Sequence, residues 1–187
     1  MTASATPPFY GALDSVPRQG GRGKDSLCLA AAAVLGIGHG LFSLYWAGGG
    51  QWLLSTVGDV ASQFDGRLWL LVPVGLVKVT AGLAPWLLAR SGWPLAPLSR
   101  AVCWLGAAVL ILWGGLSTVT AQLVLAGAIQ PDGGFDRSSM LGHAWLWDPW
   151  FVAWGIVLVI GLVRSRRGPS RHRSTTAPGA TYELARD

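Results

Sequence analysis

The 187-residue chain is 51% hydrophobic and only 12% charged, about half the charge of a soluble domain, and its mean hydropathy of +0.44 excludes an ordinary water-soluble globular protein. A net charge of +5 would suggest nucleic acid in a soluble protein. Here the basic residues gather in the flanks and tails of apolar runs, where they set membrane orientation, and no nucleic-acid partner is expected. Two cysteines without C-x-x-C spacing, Cys28 and Cys103, exclude a dithiol redox pair and argue against a structural disulfide.

Residues 1–26 are polar and irregular (Pro7, Pro8, Pro17, Gly20, Gly21, Gly23), which predicts a disordered N-terminal tail. The apolar run after them exceeds the about 7–15 residues of a signal-peptide core, so it reads as an uncleaved first span, 27–48. A second span covers 68–89 and contains Lys78. The third, 101–128, has no charge, and the fourth, 144–163, includes Asp148. Each is about 20 residues or longer, enough to cross about 30 Å of hydrocarbon. Leu, Ala, Val and Gly dominate without two-residue alternation, and lipid supplies no partners for backbone amides, so the spans are helices. The fold class is all-α: an integral membrane four-helix bundle over 27–164. Residues 165–187 read as a second, basic disordered tail; a stop-transfer flank is the plainer role of the basic stretch 164–173, and contact with anionic lipid the other.

Arg and Lys set the orientation. Arg18, Arg22 and Lys24 precede the first span, Arg90 and Arg100 flank the second loop, and Arg164, Arg166, Arg167, Arg171 and Arg173 follow the fourth span. The other loops carry Arg67 and Arg137 against Asp59, Asp65, Asp132 and Asp136. Both termini are therefore expected in the cytoplasm (N-in/C-in), in a multi-pass protein of the plasma membrane. Trp46, Trp52, Trp69, Trp145, Trp147 and Trp150 read as an outer interfacial belt, and Trp86, Trp93 and Trp104 as an inner one. In the first outer loop, Leu53, Val57, Val60 and Phe64 fall on one helical face and Ser55, Asp59 and Ser62 on the other. That pattern predicts a short interfacial helix over 52–64, lying as a cover on the bundle.

The residues expensive to bury carry the functional reading. Lys78 lies roughly 15 Å from the outer end of its span, near the midplane, where a lysine opposes insertion by about 2.5–3.5 kcal/mol. It shares a face with Gly75, Ala81 and Gly82, so it points into the bundle. His39 stands roughly 13 Å deep on a face with Gly36, Ser43 and Trp46. Gly114, Thr118 and Gln122 form a polar stripe at four-residue steps, and Asp148 enters from the top of the fourth span. These stripes are expected to converge on one outward-facing cavity. Side-chain tilt places Lys78 nearer His39 than Asp148, without a direct Lys78–Asp148 bridge. Helical hydrogen bonding alone is the plainer role for Gln122 and Thr118, and a satisfied core histidine the plainer role for His39. Haem and zinc lack facing ligands, no phosphate loop is present, and no cofactor or metal is expected.

Two segments carry a resemblance. Ser43-Leu-Tyr-Trp-Ala-Gly-Gly-Gly-Gln-Trp-Leu-Leu-Ser-Thr-Val-Gly58, preceded by Gly38-His39, resembles the S-L-Y-W-A-x-G-G-x-W-x-x-x-T-V-G signature of the domain-of-unknown-function family 3995. Gly142-His143-Ala-Trp-Leu-Trp-Asp-Pro-Trp-Phe151 resembles that family's stretch before its last helix. The resemblance, over roughly 27–164, implies a small bacterial four-helix membrane protein and no established activity. The residues themselves favour an intrabundle pocket for a lipid, isoprenoid or quinone-like ligand, lined by His39, Tyr45, Lys78, Gln122 and Asp148. An enzyme using His39 or Asp148 as acid or base is the less favoured variant. A proton- or anion-conducting transport subunit and an accessory membrane subunit are the alternatives. Membrane lipids and a hydrophobic small molecule are the expected partners, with room for an oligomer.

Overall fold

The computed structural model describes residues 20–58 and 67–166, with side chains from Leu27 onward. Among the described residues every regular element is helical, and four helical stretches are long and apolar enough to cross a membrane. Helix α1 spans Gly20–Ala47, α2 Leu71–Arg90, α3 Ala96–Leu125, α4 Arg137–Gly142 and α5 Asp148–Arg164. A π-turn, His143–Trp147, joins α4 to α5, making the fourth span one continuous run from Arg137 to Arg164. Residues 1–19 and 167–187, which hold most of the expected tails, lie outside the described residues.

Several boundaries differ from the sequence reading. Helix α1 opens at Gly20 rather than at Leu27, because a helix need not stop where its apolar run does. The third span begins at Ala96, with Pro97 in its first turn, where a missing N–H costs nothing. It ends at Leu125, and Gly127 turns the chain away with φ +77°. The fourth span starts at Arg137, well before 144. Its N-cap is Asp136, whose carboxylate accepts the amides of Ser138 and Ser139 at 3.2 and 2.8 Å. Asp148 therefore lies inside a helix and caps nothing, although Pro149 follows it. The predicted interfacial helix over 52–64 is, in its described part, one 3-10 turn, Leu54–Val57. Leu53 (φ +60°) before it and Gly58 (φ +84°) after it both adopt left-handed backbone, which ends helical propagation on either side. Val60 and Phe64 lie outside the described residues.

Glycines set the packing. Gly36 meets Gly82 and Gly40 meets Gly75, so α1 and α2 run antiparallel with their backbones in contact. Gly161 packs on Leu29 and Gly36 on Trp154, bringing α5 antiparallel to α1. Gly155 packs on Ala107 and Ile111 while Gly114 packs on Phe151 and Val152, which sets α3 antiparallel to α5. Helices α1 and α5 thus form the centre, with α2 against α1 and α3 against α5. Helices α2 and α3 barely touch. Between them lies an apolar groove of about 280 Å³, floored by Trp154 and Leu158 and walled by Ala81, Pro85, Gly106 and Val109. The main core (Leu29, Ala32, Cys103, Ala107, Trp154, Leu158, Leu162) occupies the half of the bundle nearer the described ends of the chain. A smaller one (Trp46, Leu71, Trp147) closes the other end.

Candidate functional site

The two sequence motifs meet at that second end. Gly142 lies against the backbone of Thr56, and a Cβ there would collide with the Thr56 carbonyl oxygen. Gly58 lies beside Ser139. The Trp147 indole N–H donates to Thr56 Oγ1 at 2.9 Å, and the Thr56 hydroxyl donates to the Leu53 carbonyl at 2.6 Å. Trp46 donates its N–H to the Trp52 carbonyl at 2.9 Å and stands edge-on to Trp147 with ring centroids 5.1 Å apart. These bonds fold the loop after α1 back onto the fourth span. They also correct the expected belt: Trp46 and Trp147 are buried at 4% and 2% exposure, while Trp52, Trp69 and Trp145 remain exposed. A tryptophan whose N–H finds a protein acceptor has no need of the interface.

Beneath this lid lies an aromatic box around His39. The Phe151 ring stacks on its imidazole at 4.2 Å, and Trp147 and Trp150 approach edge-on at 5.6 and 5.7 Å. His39 is 3% exposed, and among the described residues neither ring nitrogen has a hydrogen-bond partner. Trp150 is anchored across the box by its N–H, which donates to the Leu35 carbonyl at 3.1 Å. Lys78 reaches the same ring from α2: its Nζ lies 5.6 Å from the Phe151 centroid and donates to Ser43 Oγ at 3.1 Å. One phenyl ring thus meets both the histidine and the lysine.

Asp148 has a different partner. Its carboxylate lies 2.9 Å from His143 Nδ1, the one ion pair among the described residues. No Lys78–Asp148 bridge forms, as side-chain tilt predicts, and no hydrogen bond joins Lys78 to His39. Residues five apart diverge by about 140° around an α-helix; the wider π-turn brings His143 and Asp148 onto one face. No periodicity signals that turn, so the sequence left His143 aside. Ser43 and Phe151 were equally illegible as partners of Lys78, since nothing local marks contacts between helices.

The remaining expected site residues divide. Gln122 Nε2 donates to the Ala144 carbonyl at 3.4 Å, at the π-turn, so it joins α3 to the fourth span. Its stripe-mate Gly114 seats α3 against Asp148 and Phe151. Thr118 Oγ1 is buried without a partner among the described residues. Tyr45 stands apart from the other site residues. It lies on another face of α1 than His39, half exposed, with its hydroxyl accepting the Trp52 amide at 3.4 Å. There it lines a shallow surface groove of about 330 Å³ with Gly38, Leu41, Phe42 and Trp52. The structure thus brings His39 and Lys78 to one phenyl ring inside an aromatic box and sets Tyr45 apart from them. His39 and Asp148 are both 3% exposed. Among the described residues no group of three His, Cys, Asp or Glu side chains is placed to hold a metal.

Comparison with curated proteins and with solved structures gives no match. The profile of one family, described as "Protein of unknown function (DUF3995)", matches residues 35–158, about two thirds of the chain and the whole stretch that builds the lid, the aromatic box and the groove. The chain belongs to that family.

Proposed function

We propose that this is a plasma-membrane protein with both termini in the cytoplasm that holds a lipid, isoprenoid or quinone-like molecule. The apolar part of the ligand lies in the groove between α2 and α3, and its polar group reaches Lys78. The observation that carries this reading is the incomplete partnering of Lys78. An ammonium group offers three donors, yet among the described residues its one side-chain acceptor is Ser43 Oγ and no carboxylate lies within 4 Å. A charge held at mid-membrane depth needs an acceptor, and intramembrane lysines mark ligand or ion paths by default. Ala81, one turn along α2 from Lys78, is already in the groove wall, and Trp154, one turn along α5 from Phe151, is its floor. A ligand entering sideways from lipid would meet the apolar slot first, and its polar group would extend about one helical turn beyond the slot to reach the amine.

A proton relay has less support. His39 is bonded neither to Lys78 nor to Asp148, and aromatic rings fill the space around it. The test is mass spectrometry of small molecules extracted from protein purified in mild detergent. A lipid-soluble species enriched on the wild type and depleted on Lys78→Met, with Lys78→Arg intermediate, is the expected result. Equal recovery from wild type and Lys78→Met would sink the assignment of Lys78.

A further inference from the structure

At the opposite end of the bundle, a third groove of about 440 Å³ is lined by Ala96, Pro97, Arg100, Ala101, Trp104 and Arg166. We infer that Arg100 and Arg166 form a binding site for the phosphate of an anionic membrane lipid. Both guanidinium groups are held in place before any ligand arrives. Arg100 lies over the Trp93 ring at 4.6 Å and donates to the Leu162 carbonyl at 2.7 Å and to Ser165 Oγ at 3.2 Å. Arg166 lies over the Trp104 ring at 5.1 Å. Among the described residues neither pairs with a carboxylate. Two fixed cations on one groove repel each other unless an anion lies between them, and the planar donor fork of arginine matches phosphate oxygens in pairs.

Position identifies the phosphate as that of a lipid. Helix α3 has 30 residues, a length of roughly 45 Å against about 30 Å of hydrocarbon. The arginines lie at the Ala96 end of this helix and its last turn carries no basic residue, so it is this end, with the groove, that we place in the headgroup layer. The groove's small side chains (Ala96, Ala101) leave room for a headgroup beside the guanidinium groups. Trp104, one turn deeper along α3, offers an apolar surface to the glycerol and upper acyl carbons. The inference depends on the membrane reading only for the depth of the groove, and it concerns residues that the Lys78 site does not use.

Native mass spectrometry of the full chain in detergent micelles tests it, because retained lipids are counted directly whatever the topology. The probes are phosphatidylglycerol, phosphatidylcholine and inorganic phosphate. A basic residue near a membrane surface contributes about five-fold in affinity for anionic lipid, so Arg100→Gln/Arg166→Gln is expected to weaken phosphatidylglycerol retention by about 25-fold. Phosphatidylcholine retention should not change. Arg166→Gln alone, which leaves the Arg100–Leu162 bond intact, is expected to lose about five-fold and reads the site if the double variant misfolds. Arg90→Gln, at the Trp86 ring on α2, is the control and should match wild type. Unchanged phosphatidylglycerol retention in Arg166→Gln would overturn the site. Displacement of the lipid by equimolar inorganic phosphate would overturn its assignment to a lipid rather than a free anion.

Discussion

Gly114 and Gly115 are neighbours in the middle of α3, so alanine at either changes helix propensity by the same amount, about 1 kcal/mol in favour of alanine. Their surroundings differ completely. A Cβ on Gly114 would stand 2.6 Å from the Asp148 carbonyl oxygen, 2.9 Å from Phe151 Cβ and 3.1 Å from Val152 Cγ2, whereas one on Gly115 would meet nothing within 4 Å. The first contact is backbone and the second is the root of a side chain, so neither can swing away; α3 and α5 must separate. Overpacking of this kind costs about 1–3 kcal/mol. Because the propensity term cancels, Gly114→Ala should be less stable than Gly115→Ala by that full amount. At about 2–4 °C per kcal/mol for a chain of this size, the melting temperatures should differ by about 2–12 °C. The assay is thermal unfolding in detergent, read by a thiol-reactive dye reaching Cys103, which is 6% exposed in the fold. Equal melting temperatures for the two variants would refute the close α3–α5 contact, and with it the position of Phe151 between His39 and Lys78.

Three further outcomes are expected. Gly142→Ala should break the lid by displacing Thr56, costing about 2–4 kcal/mol from overpacking and the loss of the Trp147–Thr56 hydrogen bond; circular dichroism in the near ultraviolet should lose the Trp46–Trp147 signal while helix content persists. For topology, a reporter active only in the cytoplasm should work when fused after residue 167 and fail when inserted near Gly133, and the reverse pattern would overturn the charge argument. The Ser139 amide, followed by the Ser138 hydroxyl, holds the Asp136 carboxyl below its usual range. A depressed carboxylate pKa contributes stability that is present above the unfolded value and is lost as pH falls through the folded one. The melting-temperature gap between wild type and Asp136→Ala should therefore be open at pH 7 and close as the buffer is taken below about 4, and a gap independent of pH would remove the cap.

Much of the architecture is legible in residue order alone, because lipid leaves a backbone few choices. Four apolar runs without alternation must be helices, and the small-residue faces of the first two spans, Gly36/Gly40 and Gly75/Gly82, announce the close packing that α1 and α2 show. The absence of a Lys78–Asp148 bridge also follows from rise per residue and side-chain tilt, which are properties of one helix at a time. What residue order does not hold is how helices meet across the bundle. The partners of Lys78 and His39 come from other helices, Phe151 in both cases, and belong to crossing geometry that no spacing along the chain encodes. The His143–Asp148 pair needs a π-turn, one extra residue in a helical turn, which leaves no periodic trace. Tyr45, by contrast, sits in the first of the two motifs, yet tertiary structure turns it toward the surface, because Gly49 and Gly50 bring the chain back across its ring. Which pair of helices stays open is likewise a property of all four packed together: α2 and α3 follow one another in the chain and still leave a groove, since α1 and α5 between them satisfy the small-residue faces of both.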